Sequence, residues 1–193
     1  MDTDVSPTTT HGTRIELTAF RPVRRKQQEL REEALQRLED EGGSFLARNA
    51  GSEHLTASCF VLSADFRSVL LALHKKAGVW LQLGGHVEAV DSSAAATGLR
   101  EAVEEGGIAE ISLLSPHPVD IDRHSLVGSF GACETHWDLG YLGVAAPGAT
   151  PMISDESVDV AWWALSDLSN TQPHLADRII HVIAENRELL SAH

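Results

Sequence analysis

The 193-residue chain has only two cysteines, Cys59 and Cys133, so no disulfide framework is expected to hold it together. Cys59 lies in the apolar run "SCFVL" and reads as a small core residue. No apolar run approaches the ~20 residues needed to cross a bilayer, which excludes a hydrophobic membrane-spanning helix. Basic residues are scarce, 15 against 28 acidic ones, and the net charge is −13. A surface of that sign repels phosphate backbones, so nucleic acid is not an expected partner. The start, "MDTDVSPTTTHGTR", has neither a basic cluster nor an apolar stretch and does not read as a secretory signal. These absences predict a cytoplasmic protein without a membrane or nucleic-acid partner.

What is present suffices for a globular core, since 42% of the residues are hydrophobic. The length favours one domain with an appended segment, divided here as 1–50 and 51–193. Residues 1 to 14, polar and rich in threonine, are expected to be loose. "RRKQQELREEALQRLEDEGG" predicts an amphipathic helix with an apolar stripe of Leu30, Ala34, Leu35 and Leu38 and a stop at Gly42-Gly43. That stripe must be buried against the chain's own sheet or against a second subunit, and the second option would make a homodimer. "LTASCFVLS" and "SVLLALHKK" read as strands joined by a turn, and "VWLQLGGHVE" as a short strand entering a glycine turn. Further strands are expected at 117–124, 135–145 and 158–164, before a closing helix that buries Leu175, Ile179, Val182 and Ile183. Strands and helices alternate without a regular βαβ period, which fits an α/β fold with a mixed sheet.

Within "DSSAAATGLREAVEEGGI", Glu101, Glu104 and Glu105 fall at i, i+3 and i+4 and share one helix face. Like charges at that spacing repel by a few tenths of a kcal/mol per pair. Arg100, four residues before Glu104, can hold one carboxylate, and hard divalent cations among the oxygens would relieve the rest. Upstream, "GGHVE" forms a turn at which the backbone can come close to a ligand. Asp91, Ser92 and Ser93 are candidate caps for the start of the helix, and Gly106-Gly107 end it.

In these residues the sequence resembles the Nudix hydrolases, whose signature is G-x5-E-x7-R-E-U-x-E-E-x-G-U, with U aliphatic. Arg100, Glu101, Ala102, Glu104, Glu105, Gly107 and Ile108 match its second half, with Ala102 small for U, and Gly85 stands as the leading glycine. The first half departs from the pattern. Asp91 replaces the glutamate, and eight residues rather than seven separate it from Arg100, leaving it as a cap or as a shortened ligand. The resemblance covers residues 54 to 190 and implies an α/β/α sandwich around a mixed β-sheet, here preceded by an N-terminal helical extension. It implies hydrolysis of a nucleoside diphosphate linked to another moiety, with Mg2+ or Mn2+ as cofactor and a small nucleotide derivative as substrate. Glu101, Glu104 and Glu105 would hold the metal near the Gly85 backbone, with Arg100 among the catalytic residues. In "SDESVDVAWWALSDL", Glu156 would serve as metal ligand or general base, with Asp155 as the neighbouring option. An alternative of another class is a Nudix-fold module that senses a nucleotide without cleaving it, a reading supported by the lengthened loop and Asp91.

A second constellation remains. "VDIDRHS" puts Asp120, Asp122 and His124 on one face of an extended strand, and "THWDLGY" does the same for His136 and Asp138. An antiparallel pairing would bring the two sets together, with His86 and Glu88 in the turn before the glutamate helix. Two readings stand: a second metal or substrate-phosphate site, and a polar sheet face with ordinary histidine hydrogen bonds. The combination of "GGHVE", D-x-D-x-H and H-x-D looks like a bacterial Nudix subgroup.

Overall fold

The computed structural model describes residues 5–126, 133–155 and 157–193. Helices α1 (Pro7–Ala19) and α2 (Arg25–Glu41) come first, followed by β1 (Glu53–Leu62), β2 (Ser68–His74), β3 (Trp80–Leu81) and β4 (Leu83–His86). Helix α3 (Ala94–Gly106) leads to β5 (Ile111–Leu113), β6 (Asp120–Ser125), β7 (Thr135–Ala145) and β8 (Ser157–Ala164), and α4 (Pro173–Glu185) and α5 (Arg187–Ser191) end the chain. The strands join in the order β3-β2-β1-β7-β5, with β4 on β1, β6 on β7 and β8 on β2. Contacts divide the chain into two compact units. One comprises Met1–Ala57, Gly85–Thr97 and Pro116–Gly140, the other Ser58–Gly84, Gly98–Ser115 and Tyr141–His193.

In the first unit the N-terminal stretch departs from the loose segment expected. Ser6 caps α1 by accepting the Thr9 N–H at 3.1 Å, and Pro7 occupies the first helical position with its φ already suited to the helix. Thr9 and Thr13 have no exposed surface, because their hydroxyls face the segment that starts α3. The Thr9 hydroxyl donates to the Asp91 carbonyl at 2.6 Å. Gly12 lets the helix approach so closely that a Cβ there would lie 2.6 Å from the Ser92 carbonyl oxygen.

The α2 stripe is covered within the single chain. Leu30, Ala34 and Leu38 are buried, Leu35 is half-buried, and Gly42 ends the helix at φ 58. A homodimer therefore gains no support from this stripe. Gln27 and Arg24 both donate to Asp120 on β6, the latter at 3.1 Å, so Asp120 tethers α2 and is buried. Arg123, which breaks the apolar alternation of Val119 and Ile121, is also accounted for. Its guanidinium lies 4.8 Å from the Trp137 ring centre and pairs with Glu33 and Glu53.

In the second unit a core of Cys59, Val61, Leu70, Leu83, Ala102, Ile111 and Val160 receives Leu99 and Val103 from α3. Helix α3 packs close, since a Cβ at Gly98 would meet the Ser58 carbonyl oxygen and the Tyr141 ring at 3.2 Å. It ends at Gly107, whose φ of 61 places it in the left-handed region and whose N–H returns to the Val103 carbonyl at 3.0 Å. Strand β5 was not expected from the sequence. Only three residues long, it pairs antiparallel with the end of β7. Helix α4 buries Leu175, Ile179 and Val182 as expected, while Ile183 is half-buried. Among the described residues no helix is long and apolar enough to cross a membrane.

Candidate active site

Helix α3 carries the glutamates, and its first turn is organised by α1. Thr13 Oγ1 accepts the Ala94 N–H at 3.0 Å, and Glu16 Oε2 accepts the Ala95 N–H at 3.1 Å. Two of the helix's unpaired N–H groups thus find acceptors on a different helix, and Ser93 Oγ takes the Ala96 N–H at 3.4 Å. Asp91 is buried. Its Oδ2 accepts the Glu88 N–H at 2.9 Å and the Thr97 hydroxyl at 2.8 Å. These bonds close the 88–91 turn against the first turn of α3, so the acid that replaces the signature glutamate organises the loop.

Farther along α3 the three glutamates stand in three different environments. Arg100 Nη1 donates to Glu101 at 2.9 Å and to Glu104 at 3.1 Å, so one guanidinium orients two carboxylates. Glu104 is exposed and Glu101 half-buried. Glu105 turns inward to 6% exposure and accepts the Gly84 N–H at 2.8 Å. The stripe read from spacing is therefore graded from solvent to sheet. That grading brings one carboxylate against the glycine turn, next in the chain to Gly85.

The histidine constellation lies entirely within the first unit. Strands β6 and β7 are antiparallel, as anticipated, in a register that sets Asp122 opposite Asp138 and His124 opposite His136. His124 Nδ1 is 3.1 Å from Asp122 Oδ2, and Thr56 Oγ1 donates to Asp138 at 3.3 Å. His136 meets two further imidazoles, with ring centres 5.3 Å away for His86 and 4.8 Å for His54. His54 lies within β1, carries no exposed surface, and belongs to neither the D-x-D-x-H nor the H-x-D pattern. The available signal was alternation. His54, Thr56 and Ser58 form a polar series between Leu55, Ala57 and Cys59, and all six are buried. Burial, assisted by the Arg48 charge, pushes His54 down to about 4. Burial, assisted by His54 and His124, does the same to His136, also to about 4. Both imidazoles are therefore neutral at pH 7.

Glu156 lies outside the described residues, and its neighbour Asp155 accepts a bond from Lys75 Nζ through its carbonyl. Glu88 is exposed and has its N–H engaged by Asp91. Trp80 and Trp163 pack edge to face with ring centres 5.3 Å apart.

A family model described as the NUDIX domain matches residues 52–184. The chain belongs to the Nudix family. The fold is the expected one, a mixed sheet flanked by helices and preceded by α1 and α2. A Nudix-family hydrolase from Clostridium perfringens is similar at 27% identity with a TM-score of 0.53, over 68% of this chain and 96% of that one. The MutT protein from Methanosarcina mazei Go1 shares the fold at 16% identity and a TM-score of 0.55, over 71% and 97% of the two chains. A C. elegans Ap4A hydrolase in a binary complex does so at 15% identity and a TM-score of 0.52, over 72% and 98%. No curated protein matches the chain.

Proposed function

We propose that this Nudix enzyme is a metal-dependent pyrophosphohydrolase that cleaves a nucleoside diphosphate linked to another moiety. Residues 51–193 form its catalytic domain and 1–50 its extension. The observation that carries the reading is the arrangement on α3, where Arg100 orients Glu101 and Glu104 while Gly84 fixes Glu105. Such oriented carboxylate oxygens are the hard donors that Mg2+ or Mn2+ takes, and the Gly85 carbonyl is a further oxygen of the same kind. When bound there, such a cation would supply water activation and charge neutralisation at the leaving phosphate oxygens.

The protein's own groups perform the positioning. Arg100 prevents Glu101 and Glu104 from turning away from one another under their mutual repulsion. The Gly84 N–H keeps Glu105 in one rotamer. Glu156 is assigned as general base or additional ligand. Asp91 is occupied with the Glu88 N–H and with the Thr97 hydroxyl of α3, so it shapes the loop and leaves Glu101, Glu104 and Glu105 as the donor set. That weakens the case for a non-cleaving sensor. His86, Glu88, Asp122, His124, His136 and Asp138 are assigned to a second, polar site of the bacterial subgroup with the "GGHVE" turn.

The test is a panel of nucleoside diphosphate derivatives and dinucleoside tetraphosphates, incubated with Mg2+ and with Mn2+ and assayed for phosphate-containing products. Cleavage of at least one class that stops on chelation is expected. Tight nucleotide binding without any product under either metal would replace the enzyme with the sensor.

A further inference from the structure

We infer that His54, His86 and His136 form a site for a zinc-class transition-metal dication, separate in chemistry from the carboxylates of α3. It deepens the second site proposed above by changing its ligands and naming its occupant. The ligand atoms of the three imidazoles all lie within 4.8 Å of one another. Their rings are inclined at 40°, 56° and 84° to each other, so they converge and do not stack. A dication bound at about 2.0–2.1 Å per nitrogen spaces its tetrahedral ligands about 3.4 Å apart, so each pair has to close by at most about 1.4 Å. Side-chain rotation supplies that.

The surroundings match a cation in charge and in donor type. Asp122 and Asp138, both buried, stand opposite each other in the β6–β7 register, and like charges so placed destabilise a strand pair. A dication beside them would offset that repulsion. Asp122 orients His124, which in turn packs against His136 with ring centres 5.8 Å apart, and Thr56 holds Asp138. Three imidazoles are the donor set of a borderline-soft dication, whereas the all-oxygen set on α3 suits Mg2+. Three protein ligands leave a fourth position open to water or to an anionic oxygen. The Cys133 thiol lies at its edge, with Sγ 3.3 Å from His54 Nδ1.

Titration of the full-length, metal-free protein with Co(II) tests the site without any substrate. It is run in a Glu101→Gln/Glu104→Gln/Glu105→Gln background, so that the readout is independent of the hydrolase assignment. One equivalent should bind with the intense visible bands of a tetrahedral, nitrogen-ligated ion, and Zn(II) should displace it. His54→Gln and His136→Gln should each weaken binding at least about 10-fold. If those variants do not fold, histidine modification by diethyl pyrocarbonate, mapped by mass spectrometry on the folded background protein, gives the same answer. Zn(II) should protect His86 and His136 there and leave His11 reactive. Absence of the tetrahedral bands at stoichiometric metal, unchanged affinity in a folded His54→Gln variant, or equal modification with and without Zn(II) would each overturn the proposal.

Discussion

Glu16 on α1 accepts the N–H of Ala95, the second residue of α3, at 3.1 Å. A carboxylate from the N-terminal extension thus sits at the positive end of the helix that carries the signature glutamates. Thr13 takes the preceding N–H in the same way. Thr13→Val and Glu16→Leu should each lower stability by about 1 kcal/mol, the usual worth of a helix cap. Urea denaturation followed by circular dichroism measures this, and a loss of zero for both variants would show that water replaces the caps.

Glu104→Gln and Glu105→Gln should each reduce turnover at least ~100-fold, because charge stabilisation at a metal-bound phosphate contributes several kcal/mol. Glutamine at 105 can still accept the Gly84 N–H, so its melting temperature should stay near that of the parent. Near-parental kcat in either variant would remove that carboxylate from the reaction.

Chelation should abolish hydrolysis. Mg2+ or Mn2+ should raise the melting temperature of the folded protein, because it binds only the native state. Calorimetry with and without EDTA checks this, and activity that survives chelation would contradict metal dependence.

The two thiols should behave differently. Burial pushes Cys59 up to about 12 and leaves it no exposed surface, whereas Cys133 is half-buried and raised less. A thiol reagent at neutral pH should label Cys133 alone in the native state and both cysteines in urea. Equal native labelling would mean that β1 opens readily.

Acid should destabilise the first unit through Glu53. The Trp137 indole N–H, bonded to Glu53 at 2.9 Å, and the Arg123 and Arg37 guanidiniums hold its carboxyl below the ordinary value of 4.5. A depressed carboxyl contributes stability above its unfolded value and loses it as pH falls through the folded one. Stability should therefore fall as pH drops below about 4.5, less steeply in Glu53→Gln, and urea unfolding across pH 5 to 3 reads the difference.

Much of this protein was fixed locally. The period of Leu30, Ala34 and Leu38, the alternation in β1 and β7, the glycines that stop α2 and α3, and the i, i+4 spacing of Arg100 and Glu104 are properties of neighbours along the chain. Short-range geometry determines them, so they were legible in the sequence. Register was not. Only the pairing of β6 with β7 sets Asp122 against Asp138, and only the fold brings His54, 82 positions before His136, into ring contact with it. Helix α1 was hidden for the same reason: its buried face holds Thr9, Thr13 and Glu16 beside one leucine, Leu17, which makes no hydrophobic pattern. Thr13 and Glu16 are buried because they accept unpaired N–H groups at the start of α3, and Thr9 because its hydroxyl donates to the Asp91 carbonyl; that complementarity exists only after the chain has closed on itself.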